Sequence, residues 1–173
     1  MSILGDLDLE RLGPAAIWRA LDVPVRELAA RAMWTSDDDD VRLEASMALS
    51  QQLRFRPQFV AKLPLVKRVG YLARQVRPDD MLAGSLLLAL HLGERRPMLT
   101  TFLDALDIPH EDGVIDEEHD LAPPEDGPLA SAVTALDERF PAGAVDIYLA
   151  TLLALDPDTW GPLRAVLVER AAA

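Results

Sequence analysis

The 173-residue sequence contains no cysteine. A disulfide framework, thiolate-bound zinc, iron–sulfur centres and cysteine nucleophiles are therefore excluded. A chain of this length hides roughly 70% of its unfolded surface on folding, so it needs no covalent or metal staple. Asparagine is also absent, and Lys62 and Lys67 are the only lysines beside fifteen arginines. Residues with A/T-rich codons are thus scarce, which points to a G/C-rich bacterial genome, and part of the arginine excess reflects codon supply. Aromatic residues make up only 5%. The longest apolar run, Met81–Leu92, is interrupted by Ser85 and His91 and falls short of the roughly 20 residues that span a bilayer. The first ten residues are acidic where a secretory signal is basic. The expectation is a soluble, cytoplasmic protein with no membrane partner. No Gly-x-Ser-x-Gly elbow, glycine-rich phosphate loop or dinucleotide fingerprint occurs. No cofactor is expected.

With 50% hydrophobic and 27% charged residues, the chain reads as one globular domain, 1–173. Apolar spacing is helical almost throughout. Leu65, Val69, Leu72, Ala73 and Val76 line one helix face, and Leu99, Phe102, Leu103 and Leu106 line another. Prolines 14, 24, 57, 64, 78, 97, 141 and 157 sit at or just before the starts of such runs, where a missing N–H costs nothing. Ser36-Asp-Asp-Asp-Asp40 supplies a helix cap and a negative first turn, and Gly93 suits a left-handed residue that ends a helix. Alternating β-branched runs and Asn-Gly turns are missing. The pattern predicts an all-α protein, a compact array of about ten short helices near 14–21, 24–34, 38–54, 57–63, 65–77, 79–92, 96–106, 128–139, 142–155 and 159–170.

A faint repeat joins Leu87-Leu-Ala-Leu90 and Pro97 to Leu152-Leu-Ala-Leu155 and Pro162. It suggests two three-helix units, 65–106 and 129–170, with the apolar helices 79–92 and 142–155 as their buried centres. Residues 107–127 would link them as a long acidic loop. Segments of that length without helix or strand are commonly functional.

Charge is unevenly placed. The net charge is −12, yet residues 1–100 carry 14 basic and 13 acidic side chains, whereas residues 101–173 carry 3 and 16. Ala45–Pro78 holds seven cations and no carboxylate, and Asp104–Asp126 holds ten acids and no Lys or Arg.

These two stretches hold the principal candidate site. Lys67, Tyr71 and Arg74 fall at i, i+4 and i+7 on a helix, flanked by Arg68, with Arg54, Phe55 and Arg56 just upstream. Val114 and Ile115 are apolar residues within the acidic loop. Charges beside aromatic or apolar anchors, here Phe55, Phe59 and Tyr71 on one side and Val114 and Ile115 on the other, suit a contact surface, and the loop matches the basic face in sign. The expected function is a non-catalytic helical interaction or scaffold module, binding a protein partner or a second copy of itself. The loop would lie on, or compete for, the surface around Arg54–Arg77, making melting temperature and association salt-dependent. Trp18, Trp34 and Trp160 are expected in the core.

Two other readings use different residues. The dipeptide His119-Asp120 resembles the centre of the HD-type metal phosphohydrolases, an all-helical family with a His…His-Asp…Asp ligand set. The resemblance implies a divalent metal held by His91, His119 and Asp120, with Asp137 or Asp146 as the last ligand. The third reading is nucleic-acid association through the basic face and its aromatics, opposed by the net negative charge. An EF-hand register on Gly113 fails, because it places Ile108, His110 and His119 at ligand positions. Asp37–Asp40 resembles the aspartate clusters of isoprenoid synthases but is followed by Val41, and a helix start accounts for it.

Overall fold

The computed structural model describes residues 3–116 and 121–172. Among these the chain forms eleven α-helices and one 3-10 turn, Leu4–Asp6. They are α1 (Pro14–Ala20), α2 (Val23–Trp34), α3 (Asp39–Gln52), α4 (Pro57–Lys62), α5 (Leu65–Arg74), α6 (Asp80–Glu94), α7 (Arg96–Ala105), α8 (Asp126–Asp137), α9 (Ala142–Leu155), α10 (Pro157–Trp160) and α11 (Leu163–Ala172). Extended pairing among the described residues is limited to one bridge, Glu111 with Val114. The protein is all-α, and no described helix is long and apolar enough to cross a membrane.

The chain divides into two compact units. Leu21–Glu94 form an inserted unit, and residues 1–20 with 95–173 form a split unit around that insertion in sequence. Helices α6 and α7 therefore belong to different units, so the stretch 65–106 compared with 129–170 is shared between them.

In the inserted unit, α2 packs against α3, α5 and α6. It begins at Asp22, whose carboxylate accepts the Val25 N–H at 3.0 Å. Its buried face is Ala29, Ala30, Ala32, Met33 and Trp34. Short alanines let a neighbouring helix approach closely, and Gly93 is where α6 does so. A Cβ built there would lie 3.0 Å from the Ala32 Cβ. This corrects the expected left-handed terminus, because α6 runs through Gly93 to Glu94. Close helix contact, not chain reversal, is what the glycine serves. Helix α6 also departs from the expected burial on all sides. It buries Leu82, Ala83, Leu86, Leu87 and Leu90 but exposes Met81 and Leu88, seven residues apart on one face. Each fully buried leucine contributes about 1.5–3 kcal/mol relative to exposure.

Helix α3 starts where the aspartates place it. Asp38 caps it by accepting the Asp40 N–H at 2.8 Å, and Asp39 pairs with Arg42. The predicted 65–77 helix is shorter than expected and stops at Arg74. Beyond it, Gln52 takes the Arg77 N–H at 2.8 Å and donates to the Arg77 carbonyl at 3.0 Å, holding the segment extended before Pro78.

In the split unit α9 is the central helix, contacted by α1, α8, α10 and α11. Its buried set includes Val145, Ile147, Tyr148, Leu149, Ala150 and Leu153. Phe102 of α7 stands edge-on to Tyr148 at 5.5 Å between ring centres and 5.6 Å from Trp160. Trp18, Trp34 and Trp160 are all core residues, each within its own unit. The expected single helix 159–170 is two, α10 and α11, because Gly161-Pro162 interrupts the run and Pro162 has no N–H to continue the ladder.

Candidate interaction surface

The basic face belongs entirely to the inserted unit. Helix α3 ends at Gln52, and Arg54 follows at φ 56°, a left-handed conformation that usually falls to glycine. That reversal turns Phe55 toward the next two helices. Phe55 meets Phe59 of α4 at 5.2 Å and Tyr71 of α5 at 5.1 Å, both edge-to-face at 75°. The three rings form one continuous row, with Phe59 48% exposed at its outer end. Edge-to-face contacts of this kind contribute about 0.5–1.5 kcal/mol each beyond area burial, so the row is a preformed platform.

The cations around it divide into two groups. Arg74 is engaged: two of its guanidinium nitrogens reach Glu27 Oε1 of α2 at 2.9 and 2.8 Å. Arg68 is half-buried, with its guanidinium carbon 4.9 Å from the Trp34 ring centre, a cation–π contact that ties α5 to α2. Both are part of the unit's own packing. Arg54, Arg56, Lys62, Lys67 and Arg77 are exposed, and among the described residues none has a carboxylate within ion-pair distance. Phe55, Phe59 and Tyr71, the aromatic anchors expected from the sequence, are thus in mutual ring contact through Phe55.

The described part of the acidic loop has its own fold, in the split unit. Helix α7 ends with Asp107 in the left-handed region (φ 56°) and the Ile108 N–H donating back to the Leu103 carbonyl at 3.0 Å. Glu111 and Val114 then exchange two backbone hydrogen bonds across Asp112 (φ 52°) and Gly113 (φ 87°). Two consecutive positive φ angles closed by Asp-Gly make a tight primed turn, for which Asp112-Gly113 is the sequence signal. His110 braces it. Its Nδ1 accepts the Gly113 N–H at 3.1 Å, which leaves the ring proton on Nε2 to donate to Asp104 at 3.1 Å. With both ring nitrogens engaged, His110 is a strut. Arg96 adds a 2.7 Å ion pair to Asp112, and Gly113 packs on Leu99. His110, Asp112 and Gly113 thus pin the described part of the loop, while Val114 is exposed and Ile115 half-buried.

The metal-site residues fare differently. His91 is buried in the last turn of α6, and His119 and Asp120 lie outside the described residues. Among the described residues no three His, Asp or Glu side chains are placed to hold a metal ion. Asp137 and Asp146, named as possible last ligands, both serve Arg170 of α11. Its Nη1 and Nη2 reach Asp137 at 2.7 and 3.0 Å, and its Nε reaches Asp146 at 2.7 Å. Asp137's hydrogen bonds are the largest cause raising the Arg170 guanidinium above its ordinary range, and those of Asp146 add to them against partial burial. No protein-family model, curated protein sequence or solved structure matches this chain.

Proposed function

We propose that the chain is a non-catalytic protein-interaction module, whose basic aromatic face in the inserted unit receives an acidic segment carrying apolar side chains. The observation that carries the reading is the row Phe59–Phe55–Tyr71, beside exposed cations that have no carboxylate within ion-pair distance among the described residues. Aromatics and arginines are the side chains that dominate binding hot spots. A rigid ring row also loses little conformational freedom when a partner lands on it.

The partner is a protein segment of opposite sign, or a second copy of this chain. The protein's own sequence 107–127 has the required composition, nine acids and no Lys or Arg, interleaved with Val114, Ile115 and Leu121. A synthetic peptide of that sequence serves as the probe. Fluorescence anisotropy should register binding to the intact protein at low salt. Binding should weaken on raising NaCl from about 20 to about 500 mM, which shortens the screening length severalfold, and on Arg56→Glu with Lys67→Glu. No binding at low salt overturns the reading. So does preferential binding of a single-stranded oligonucleotide lost on Tyr71→Ala, which would assign the same surface to nucleic acid.

A further inference from the structure

A second surface of the inserted unit has the opposite character. Leu43 and Met47 are one turn apart on α3, and Met81 opens α6. Together they line an open groove of 380 Å³. They are 57%, 48% and 76% exposed, large values for apolar side chains. Asp40, Glu44 and Asp79 also line the groove, and no Lys or Arg does. Methionine is flexible and polarisable, so two of them offer a surface that moulds itself to an incoming apolar group.

From this charge complementarity we infer that the groove docks the basic aromatic face of a second copy of the chain. That face presents Phe59 and Val66 as exposed apolar groups, with Arg56, Lys62 and Lys67 beside them. The groove offers apolar seats within an acidic rim. Since the two surfaces differ, the contact is head-to-tail, and it closes into a ring or extends as a filament. Opposite signs set the register, and the buried apolar groups supply the affinity. The inference rests on the face being a protein-binding surface, as proposed above, and names its partner.

The absence of cysteine makes the test clean. Full-length protein in sedimentation velocity should gain mass with concentration at about 50 mM NaCl and lose that gain at about 500 mM. A groove variant, Glu44→Lys with Met47→Asp, and a face variant, Phe59→Asp with Lys67→Glu, should each lower self-association by about tenfold or more. All four positions are exposed or half-exposed, and circular dichroism checks that both variants are folded. Mixed one to one, the variants should pair, because one keeps a working face and the other a working groove. Mixing Phe59→Cys with Met81→Cys protein under mild oxidation should yield a disulfide-linked pair. A wild type that stays monomeric, self-association indifferent to either variant, or a mixture that fails to pair overturns the inference. The acidic peptide separates this failure from that of the parent reading. If the groove variant binds peptide as the wild type does while no self-association occurs, the face is a binding surface and only its partner is wrong.

Discussion

Arg170, in the last turn of α11, donates its Nε–H to Asp146 of α9 at 2.7 Å, and the Asp146 side chain is almost wholly buried. The same guanidinium grips Asp137 at the end of α8 through its other two nitrogens. One cation thus fastens three helices of the split unit. Removing the partner of a buried carboxylate is costly, because its desolvation is then no longer offset. Arg170→Met should destabilise the protein by about 3–5 kcal/mol. Asp137→Ala, at a more exposed carboxylate, should cost clearly less. Urea unfolding of the two variants checks the order, and equal losses would contradict it.

Tyr148 gives a prediction at alkaline pH. Burial in α9 raises its phenol above the ordinary value of 10.0, because a phenolate there would be desolvated. The folded state therefore holds the proton after the unfolded chain has released it. Stability from this residue is full below pH 10 and declines as pH rises past it, by about 1.4 kcal/mol per pH unit. Tyr148→Phe should remove that component. The difference in unfolding free energy between wild type and variant should be flat from pH 8 to about 9.5 and then narrow. A difference independent of pH up to 11 would be inconsistent with the assignment.

Gly113 is held at φ 87°, and a Cβ there would come within 2.9 Å of the Leu99 Cβ. Both the backbone and the space disfavour a side chain. Gly113→Ala should cost about 1–2 kcal/mol from the left-handed conformation alone, with the Leu99 clash added. Hydrogen exchange at the Gly113 and Val114 amides should speed up with it, since those N–H groups bond to His110 and Glu111.

Arg54 tests the link between strain and binding. Arg54→Gly relieves a left-handed arginine and should raise stability by about 1 kcal/mol. It also removes one cation beside Phe55, so affinity for the acidic peptide should fall two- to fivefold, about the weight of one exposed ion pair. Thermal melts and anisotropy on the same sample read both effects. Higher stability with unchanged affinity would place Arg54 outside the binding surface.

Gly93→Val should loosen α6 from α2, because even a Cβ would stand 3.0 Å from Ala32. The expected loss is about 1–3 kcal/mol, the usual cost of overpacking. Trp34, at the end of α2, should report it as a shift in indole fluorescence.

The order and approximate limits of most helices followed from local rules. Proline positions, the Asp38 cap and apolar spacing need only neighbours within a turn or two, and they were enough to locate α1 to α9. The chain's division of charge was likewise readable, since it is a property of order along the sequence. Gly161-Pro162, which splits the last helix, and the primed turn at Asp112-Gly113 were written in the same local code but were not read from it. The tertiary structure decided the rest. Whether Gly93 ends a helix or admits a neighbour depends on Ala32, 61 positions away. Whether Arg74 and Arg68 face a partner or their own unit depends on Glu27 and Trp34 of α2. Likewise, Met81 becomes a groove wall only because α3 brings Leu43 and Met47 beside it. Helical periodicity fixes which residues share a face. What covers that face is set by packing between distant segments, and spacing along one helix carries no information about it.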